Sequence, residues 1–136
     1  MLRPAAYSAR VGGRWLGSSV QEREDDMRMW MVNPAVMCRK HLLGEHVELH
    51  MLAGSLRRGR SIQGFLDNGL LEPQNLHTRH AALVKEMERR GYRHASSLPA
   101  IVPVLRGRVD RASAAVELSR RCSECRKSFV FSASVS

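Results

Sequence analysis

The chain has 136 residues and a hydrophobic fraction of 43%, which is enough for one globular domain with a modest core. Its 22 Lys and Arg residues exceed its 13 Asp and Glu residues, and the net charge of +9 makes nucleic acid the leading class of partner. No apolar run approaches the roughly 20 residues of a membrane span. Three cysteines do not make a disulfide framework, so a reducing compartment fits the composition.

The first 26 residues differ in composition from the rest. Residues 1–20 carry Arg3, Arg10 and Arg14 but no acidic residue, and residues 21–26 then turn acidic. We predict an irregular leader here, without the apolar core of a secretory signal. Two interpretations remain open. The leader is either a transit peptide or, as we favour, upstream sequence translated in error ahead of a start at Met27.

The first predicted helix covers residues 34–56. Asn33 suits its capping position, Pro34 suits its first turn, and Gly59 suits its end. A short helical turn over residues 61–66 and a turn at residues 67–69 follow. The apolar positions expected on the inner face of this helix are Val36, Met37, Leu42, Leu43, Leu49, Leu52 and Leu56.

Two further helices follow in chain order. Pro73 opens the second, over residues 73–90, which Gly91 ends. After an irregular connection over residues 92–107, Asp110 caps a third helix over residues 111–121. We assign no structure after Cys125. The positions expected to face inward are Leu76, Leu83, Val84 and Met87 in the second helix and Ala112, Ala115, Val116 and Leu118 in the third.

This pattern predicts an all-α fold. Three main amphipathic helices with little strand signal form a compact single domain over residues 27–125. The irregular N-terminal leader, residues 1–26, precedes it, and a flexible tail, residues 126–136, follows.

The first predicted helix places His41, Glu45 and Glu48 on one face, at positions i, i+4 and i+7. Two carboxylates and an imidazole beside an apolar stripe are costly to bury without a purpose. An acidic pocket inside a basic protein indicates chemistry on a polyanion. Glu48 is the preferred catalytic carboxylate, because an apolar setting raises the pKa of a Glu towards working pH. The alternative is that Glu48 is an ordinary partner of Glu45 on a solvated face.

Two patterns resemble metal sites without completing one. His46 and His50 are spaced to grip a metal, but the Glu is not directly after the first His as in zincins, and no third ligand is evident. Cys122 and Cys125 form a lone CxxC, whereas a structural zinc needs a second pair of ligands. Cys38 and a His could supply that pair, but the spacing does not show it. We therefore favour free thiols and predict no metal.

Arginines cluster at the helix ends and in the connections. Such positions suit phosphate contacts that hold a duplex without reading its sequence. The alternatives are a solvated basic surface and helix C-capping, and capping would explain Arg57, Arg58, Arg89 and Arg90. The clusters are Arg57, Arg58 and Arg60, then Arg89, Arg90 and Arg93, then Arg106, Arg108 and Arg111.

Three of these segments together resemble the pyrimidine-dimer DNA glycosylases, the small phage-type UV endonuclease V enzymes. They are Met27-Arg28-Met29-Trp30-Met31-Val32, the pattern His41-Leu42-x-x-Glu45-x-x-Glu48-Leu49, and the helix that ends Arg89-Arg90-Gly91-Tyr92. The resemblance covers about residues 27–121. It implies an all-α, monomeric DNA-repair enzyme without metal or cofactor, acting on damaged double-stranded DNA in the cytoplasm of a bacterium or a phage-infected cell.

The resemblance also implies a mechanism and its residues. The family cleaves the glycosyl bond of cyclobutane pyrimidine dimers and then breaks the backbone by β-elimination through an imine (AP-lyase activity). The α-amine of the first residue, matched here by Met27, is the nucleophile, and Arg28 matches the Arg that follows it. Glu48 matches the Glu that stabilises the cationic sugar or imine, and His41 matches a pocket-lining His. Arg120 falls where the family has a basic residue near the DNA backbone.

The sequence departs from the family beside Glu48. Phage members often have Arg just before the catalytic Glu and three residues after it, where this chain has Val47 and Met51. His46 and His50 are candidates to replace part of that positive charge. The substrate preference therefore stays open, and a damaged base other than a pyrimidine dimer is an alternative substrate. Two other functions also stay open. One is a non-catalytic basic helical DNA-binding protein, and the other is a metal-binding helical protein that uses His46, His50 and the CxxC.

Overall fold

The computed structural model of the chain describes residues 27–93 and 96–135, with side chains up to residue 129. The described ranges contain helices and no strand, so the all-α prediction is confirmed. The predicted leader lies outside the described residues. The helices are α1 (Arg39–Arg57), α2 (Gln63–Asp67), α3 (Leu76–Arg89), α4 (Arg111–Arg121) and α5 (Ser123–Val135), and two 3-10 turns cover Pro34–Val36 and Pro73–Asn75.

Both long helices begin later than the prolines predicted. Asn33 does cap a helical turn, since its side chain accepts a hydrogen bond from Ala35 N at 3.0 Å, but that turn is 3-10 and ends at Val36. The chain is then extended through Cys38, whose sulfur accepts from His41 N at 3.5 Å and caps α1. Pro73 likewise opens a 3-10 turn, and α3 starts after it.

The predicted glycine stops are confirmed. Gly59 and Gly91 have φ values of 71° and 81°, in the left-handed region that a residue without Cβ adopts at low cost. The residue after each glycine reaches back to a free carbonyl of its helix. Arg60 N donates to Ser55 O at 2.9 Å, and Tyr92 N donates to Met87 O at 2.8 Å.

Helix α4 has the predicted bounds and cap, but not the predicted inner face. Asp110 accepts from Ser113 N at 3.1 Å, as expected of an N-cap. Ala114 and Leu118 are buried, whereas Val116 is 68% exposed and Ala112 is also exposed. The prediction of Ala112 and Val116 as core residues was wrong, because several alanines spread around one short helix leave its apolar face poorly defined.

The chain after Cys125 is helical, so assigning it no structure was wrong. Helix α5 packs against α4 and against the 3-10 turn Pro34–Val36. Cys125, in its first turns, is fully buried. Tertiary packing supplies most of the stability of short helices, and it outweighs the weak helix propensity of the serines here.

Residues 27–32 run through the interior rather than over the surface. Met29, Trp30 and Val32 are buried, and Met29 N donates to Leu70 O at 2.8 Å. Helix α1 packs against α3 and carries the buried residues Leu42, Leu49 and Leu52. None of the helices in the described ranges has both the length and the hydropathy needed to cross a bilayer.

Gly107 lies where no side chain fits. A Cβ at this position would be 2.3 Å from Leu71 O and 2.8 Å from Leu66 Cδ2. The same residue is held on both sides by the Gln74 amide, which donates to Gly107 O at 2.6 Å and accepts from Gly107 N at 3.0 Å. The connection therefore cannot shift away without losing these hydrogen bonds.

We expect Gly107→Ala to lower the free energy of unfolding by about 2–4 kcal/mol, because the methyl group forces backbone displacement. Denaturant unfolding followed by circular dichroism measures this effect. Gly44→Ala is the matched control, since nothing lies within 4 Å of a Cβ at Gly44. In the interior of α1 that change should stabilise by up to about 1 kcal/mol. Equal effects of the two substitutions would contradict the packing described at Gly107.

Candidate active site

The buried N-terminal segment meets α1 at Glu48. The backbone N–H of Arg28 donates a hydrogen bond to Glu48 Oε1 at 3.1 Å. Met27 and Arg28 are both buried, with exposed fractions of 5% and 8%, and Glu48 is half-buried. The fold thus brings Met27, Arg28 and Glu48 together although twenty residues separate Arg28 from Glu48 in the chain.

An aromatic side chain forms the next layer of this site. The guanidinium carbon of Arg28 lies 3.9 Å from the centroid of the Trp30 ring, in a cation–π contact. Trp30 meets the His41 ring edge to face at 6.2 Å, and the Arg121 guanidinium lies 5.6 Å from the Trp30 ring. Directly after Trp30, Met31 has a φ of 58°, a costly backbone conformation for a non-glycine residue.

Glu45 does not belong to an acidic pocket with Glu48. Its carboxylate accepts two hydrogen bonds from Arg79, at 2.6 Å and 2.9 Å, in a fully buried ion pair. Arg79 also donates to Val32 O at 2.7 Å and so ties α3 to both α1 and the N-terminal segment. The prediction of a pocket with two carboxylates was therefore wrong. Arg79 falls on the apolar face of α3 with Leu76 and Leu83, and a cation at that position was the signal of a buried partner.

His41 lies among the sulfur atoms of the chain. Its Nδ1 is 3.2 Å from Cys38 Sγ and 3.7 Å from Cys125 Sγ. Cys122 Sγ lies 3.8 Å from Cys38 Sγ, so the three cysteines and His41 form one cluster. Burial raises the pKa of the Cys125 thiol to about 12. The sequence indicated free thiols near a helix end, and its spacing could not show this convergence.

His46 and His50 are joined by His80 from α3. The ring centroids are 4.8 Å apart for His46 and His50, 4.9 Å for His46 and His80, and 5.2 Å for His50 and His80. His46 is buried and the other two are half-buried. The third imidazole that was not evident in the sequence is therefore present. The role of His46 and His50 beside DNA stays a prediction.

The arginines at the end of α3 are partly engaged inside the protein. Arg90 donates to Met37 O at 2.7 Å and to Glu86 Oε2 at 2.6 Å, and only 16% of its side chain is exposed. Arg89 also pairs with Glu86 but is 66% exposed. Hydrogen bonds from Arg89 and then Arg90, opposed by burial, hold the pKa of Glu86 near 2. Arg90 thus joins α3 to the segment before α1. This role differs from the two predicted for it, which were contact with a DNA phosphate and capping of its own helix.

The other predicted DNA contacts lie at the surface. Arg57, Arg58, Arg60 and Arg93 are exposed. Arg120 is 70% exposed and pairs with Glu117 at 2.6 Å. These side chains are accessible to a polyanion, and their DNA contacts stay predictions.

A cleft of about 410 Å³ opens beside Arg28, between the N-terminal segment and the start of α4. Arg28 and Arg108 line it together with Asp110 and Glu117. Its size falls within the range of about 300–1,000 Å³ that is usual for ligand pockets. On the outer side of α1, Val47 and Met51 are 56% and 46% exposed, so the positions that depart from the phage enzymes face solvent.

A comparison with known families gives a match that begins with the same N-terminal segment. The family model described as pyrimidine dimer DNA glycosylase matches residues 27–100, just over half of the chain. The chain belongs to this family. The matched range starts at Met27 and contains Arg28, His41 and Glu48, and it ends before α4 and α5. Neither the curated proteins nor the solved structures include a match. Membership implies a DNA glycosylase activity and DNA as the substrate.

Proposed function

We propose that the chain is a DNA-repair glycosylase with associated AP-lyase activity that acts on UV-induced pyrimidine dimers or related base lesions. The α-amine of Met27, in a chain that starts there, attacks C1′ of the damaged nucleotide and forms an imine. The observation that carries the proposal is the 3.1 Å hydrogen bond from Arg28 N to Glu48 Oε1. It puts a carboxylate one residue away from the proposed nucleophile.

Met27 and Glu48 have different roles in the proposed reaction. The neutral amine of Met27 forms the bond to C1′ and gives up one proton, and the damaged base leaves with the electron pair of the glycosyl bond and takes up a proton. The C1′–O4′ bond of the sugar then breaks, its oxygen takes up a proton, and C1′ and the nitrogen form the protonated imine. The Glu48 carboxylate stabilises the positive charge that develops on the sugar and the imine. Loss of the C2′ proton then expels the 3′ phosphate by β-elimination. Exposed arginines hold the duplex through its phosphates.

An N-terminal amine suits this role better than a lysine does. A terminal amine titrates near 8 and a Lys near 10.4, so about a tenth of the former is neutral at pH 7 against a few parts in ten thousand of the latter. Only the neutral amine attacks. In a chain that begins at Met1 the nitrogen of Met27 is an amide, which cannot form an imine.

The test is cleavage of a duplex that carries one cyclobutane dimer, without added metal, by protein starting at Met27 and by protein starting at Met1. We expect cleavage by the Met27 form, and borohydride reduction should trap a DNA adduct that mass mapping places on Met27. A Met27 form with one extra residue before Met27 is the matched control. It keeps a free amine but displaces it by about 3.8 Å, and should lose most activity.

Each other result has a distinct meaning. An adduct on a lysine would overturn the assignment of Met27, while leaving the lyase chemistry in place. Binding of the duplex without cleavage by either form would favour the non-catalytic DNA-binding protein. If a duplex with another base lesion is cleaved and the duplex with the dimer is not, the substrate of the proposed enzyme is that other lesion.

A further inference from the structure

We propose that Cys38, His41, Cys122 and Cys125 bind one structural zinc ion. One ligand atom from each residue lies within 4.8 Å of the others. All three cysteines of the 136-residue chain converge on this point, and they come from both ends of the domain. Three thiolates and one imidazole are a common donor set of structural zinc sites.

The distances between the donor atoms fit a tetrahedral ion. With Zn–S near 2.3 Å and Zn–N near 2.0–2.1 Å, a tetrahedron puts two sulfurs about 3.8 Å apart and a sulfur and a nitrogen about 3.6 Å apart. Cys38 Sγ and Cys122 Sγ are 3.8 Å apart, and Cys125 Sγ and His41 Nδ1 are 3.7 Å apart. The 3.2 Å between Cys38 Sγ and His41 Nδ1 is shorter than the tetrahedral value and would lengthen slightly when the ion binds, and all the donor atoms already lie within 4.8 Å of one another.

The backbone around the sulfurs also suits metal-bound thiolates. Each sulfur accepts at least one main-chain N–H. Cys38 N donates to Cys125 Sγ at 3.3 Å, Cys125 N to Cys122 Sγ at 3.5 Å and His41 N to Cys38 Sγ at 3.5 Å. Such donors orient the ligands and stabilise negative charge on sulfur. Cys38 is also the N-cap of α1, where the positive end of the helix dipole favours anionic groups.

The position of the cluster indicates a structural role. Its ligands come from the first turn of α1 and from the junction of α4 and α5, so the ion joins the C-terminal helices to the part of the chain that the family model matches. Seven residues separate His41 from Glu48, which is about 10 Å along a helix. The ion is therefore too distant to act on an atom held at Glu48, and the proposal does not depend on the cleavage chemistry.

The ion would nevertheless support the candidate active site through one aromatic residue. The His41 ring contacts Trp30, and Trp30 contacts the guanidinium of Arg28. Fixing His41 by its Nδ1 fixes the ring that packs on Trp30. The chain has two tryptophans, Trp15 and Trp30, so Trp30 can be observed alone in a Trp15→Phe background.

The experiment uses untagged full-length protein, reduced and handled without oxygen. We expect one zinc per chain by elemental analysis. After removal of zinc, titration with Co²⁺ should give a tetrahedral spectrum with a thiolate charge-transfer band at one equivalent. Removal should lower the melting temperature by roughly 10 °C or more, because a structural zinc contributes folding free energy. In the Trp15→Phe background, removal of zinc should shift the fluorescence emission of Trp30 to longer wavelength.

The variants separate this cluster from the histidines. Cys122→Ser and Cys125→Ser should lose the zinc, whereas His80→Asn, which breaks the His46, His50 and His80 group, should keep it. If a serine variant fails to fold, the Co²⁺ titration of the wild type still decides. The proposal would be overturned by substoichiometric metal in the wild type or by an octahedral Co²⁺ spectrum. It would also be overturned by loss of zinc in His80→Asn alone, or by a disulfide, which would lower the mass by two hydrogens.

Discussion

Glu48→Gln is expected to reduce cleavage of a dimer-containing duplex by at least about a hundredfold, with the protein still folded. The amide oxygen of Gln can still accept the hydrogen bond that Arg28 N donates to Glu48 Oε1, so the segment that carries Met27 keeps its place. What is lost is the negative charge that stabilises the cationic sugar and the imine. Single-turnover cleavage assays measure this loss without interference from product release.

Glu88→Gln is the matched control for this substitution. Glu88 lies exposed on α3, so the same chemical change there should leave cleavage unaltered. Binding of the damaged duplex should be retained in both variants, because the exposed arginines are untouched. Wild-type cleavage rates in Glu48→Gln would remove Glu48 from the mechanism, even if the trapped adduct were on Met27.

Arg79→Met is expected to destabilise the protein by about 3–5 kcal/mol, because it leaves the Glu45 carboxylate buried without a countercharge. Both side chains of this pair are almost fully excluded from solvent. The substitution also removes the donor to Val32 O, one of the contacts that hold the N-terminal segment against α3. Denaturant unfolding at neutral pH measures the change in the free energy of unfolding.

Two comparisons test whether the buried charge is the cause. The double variant Glu45→Met with Arg79→Met should recover much of the lost stability, since replacing both members of a buried pair with apolar residues is often close to neutral. Arg89→Met removes the ion pair between Arg89, whose side chain is 66% exposed, and Glu86. This change should lower the free energy of unfolding by less than about 1 kcal/mol. A double variant no more stable than Arg79→Met alone would show that lost packing, and not the unpaired charge, dominates.

Sequence patterns determined the helical class of this protein and the ends of its long helices. These features depend on local physics. The apolar period of 3.6 residues, the left-handed glycines Gly59 and Gly91, and the capping side chain of Asp110 all act within a few residues. The helix starts were less well defined, because a proline favours a 3-10 turn and an α-helix alike. The motif around Glu48 also indicated the family, which the match over residues 27–100 confirms.

Which polar groups meet depends on the packing of the helices. Glu45 and Glu48 share a helix face in the sequence pattern, but Glu45 pairs with Arg79 of α3 and Glu48 accepts the N–H of Arg28. Contacts of this kind join residues that are 20 to 34 positions apart. Spacing along the chain carries no information about such partners, because they depend on how the helices pack.

The cysteine cluster shows the same limit most clearly. The sequence contained one CxxC and no second pair of ligands at a spacing typical of zinc sites. Cys38 lies 84 residues before Cys122. The cluster exists because α5 is a helix that folds back against the start of α1, in a Ser-rich segment whose local propensity did not predict it. Burial of Cys125 in that contact is a tertiary effect. Local patterns in the sequence were therefore sufficient to predict the helices and the family, whereas long-range packing sets which side chains share a site.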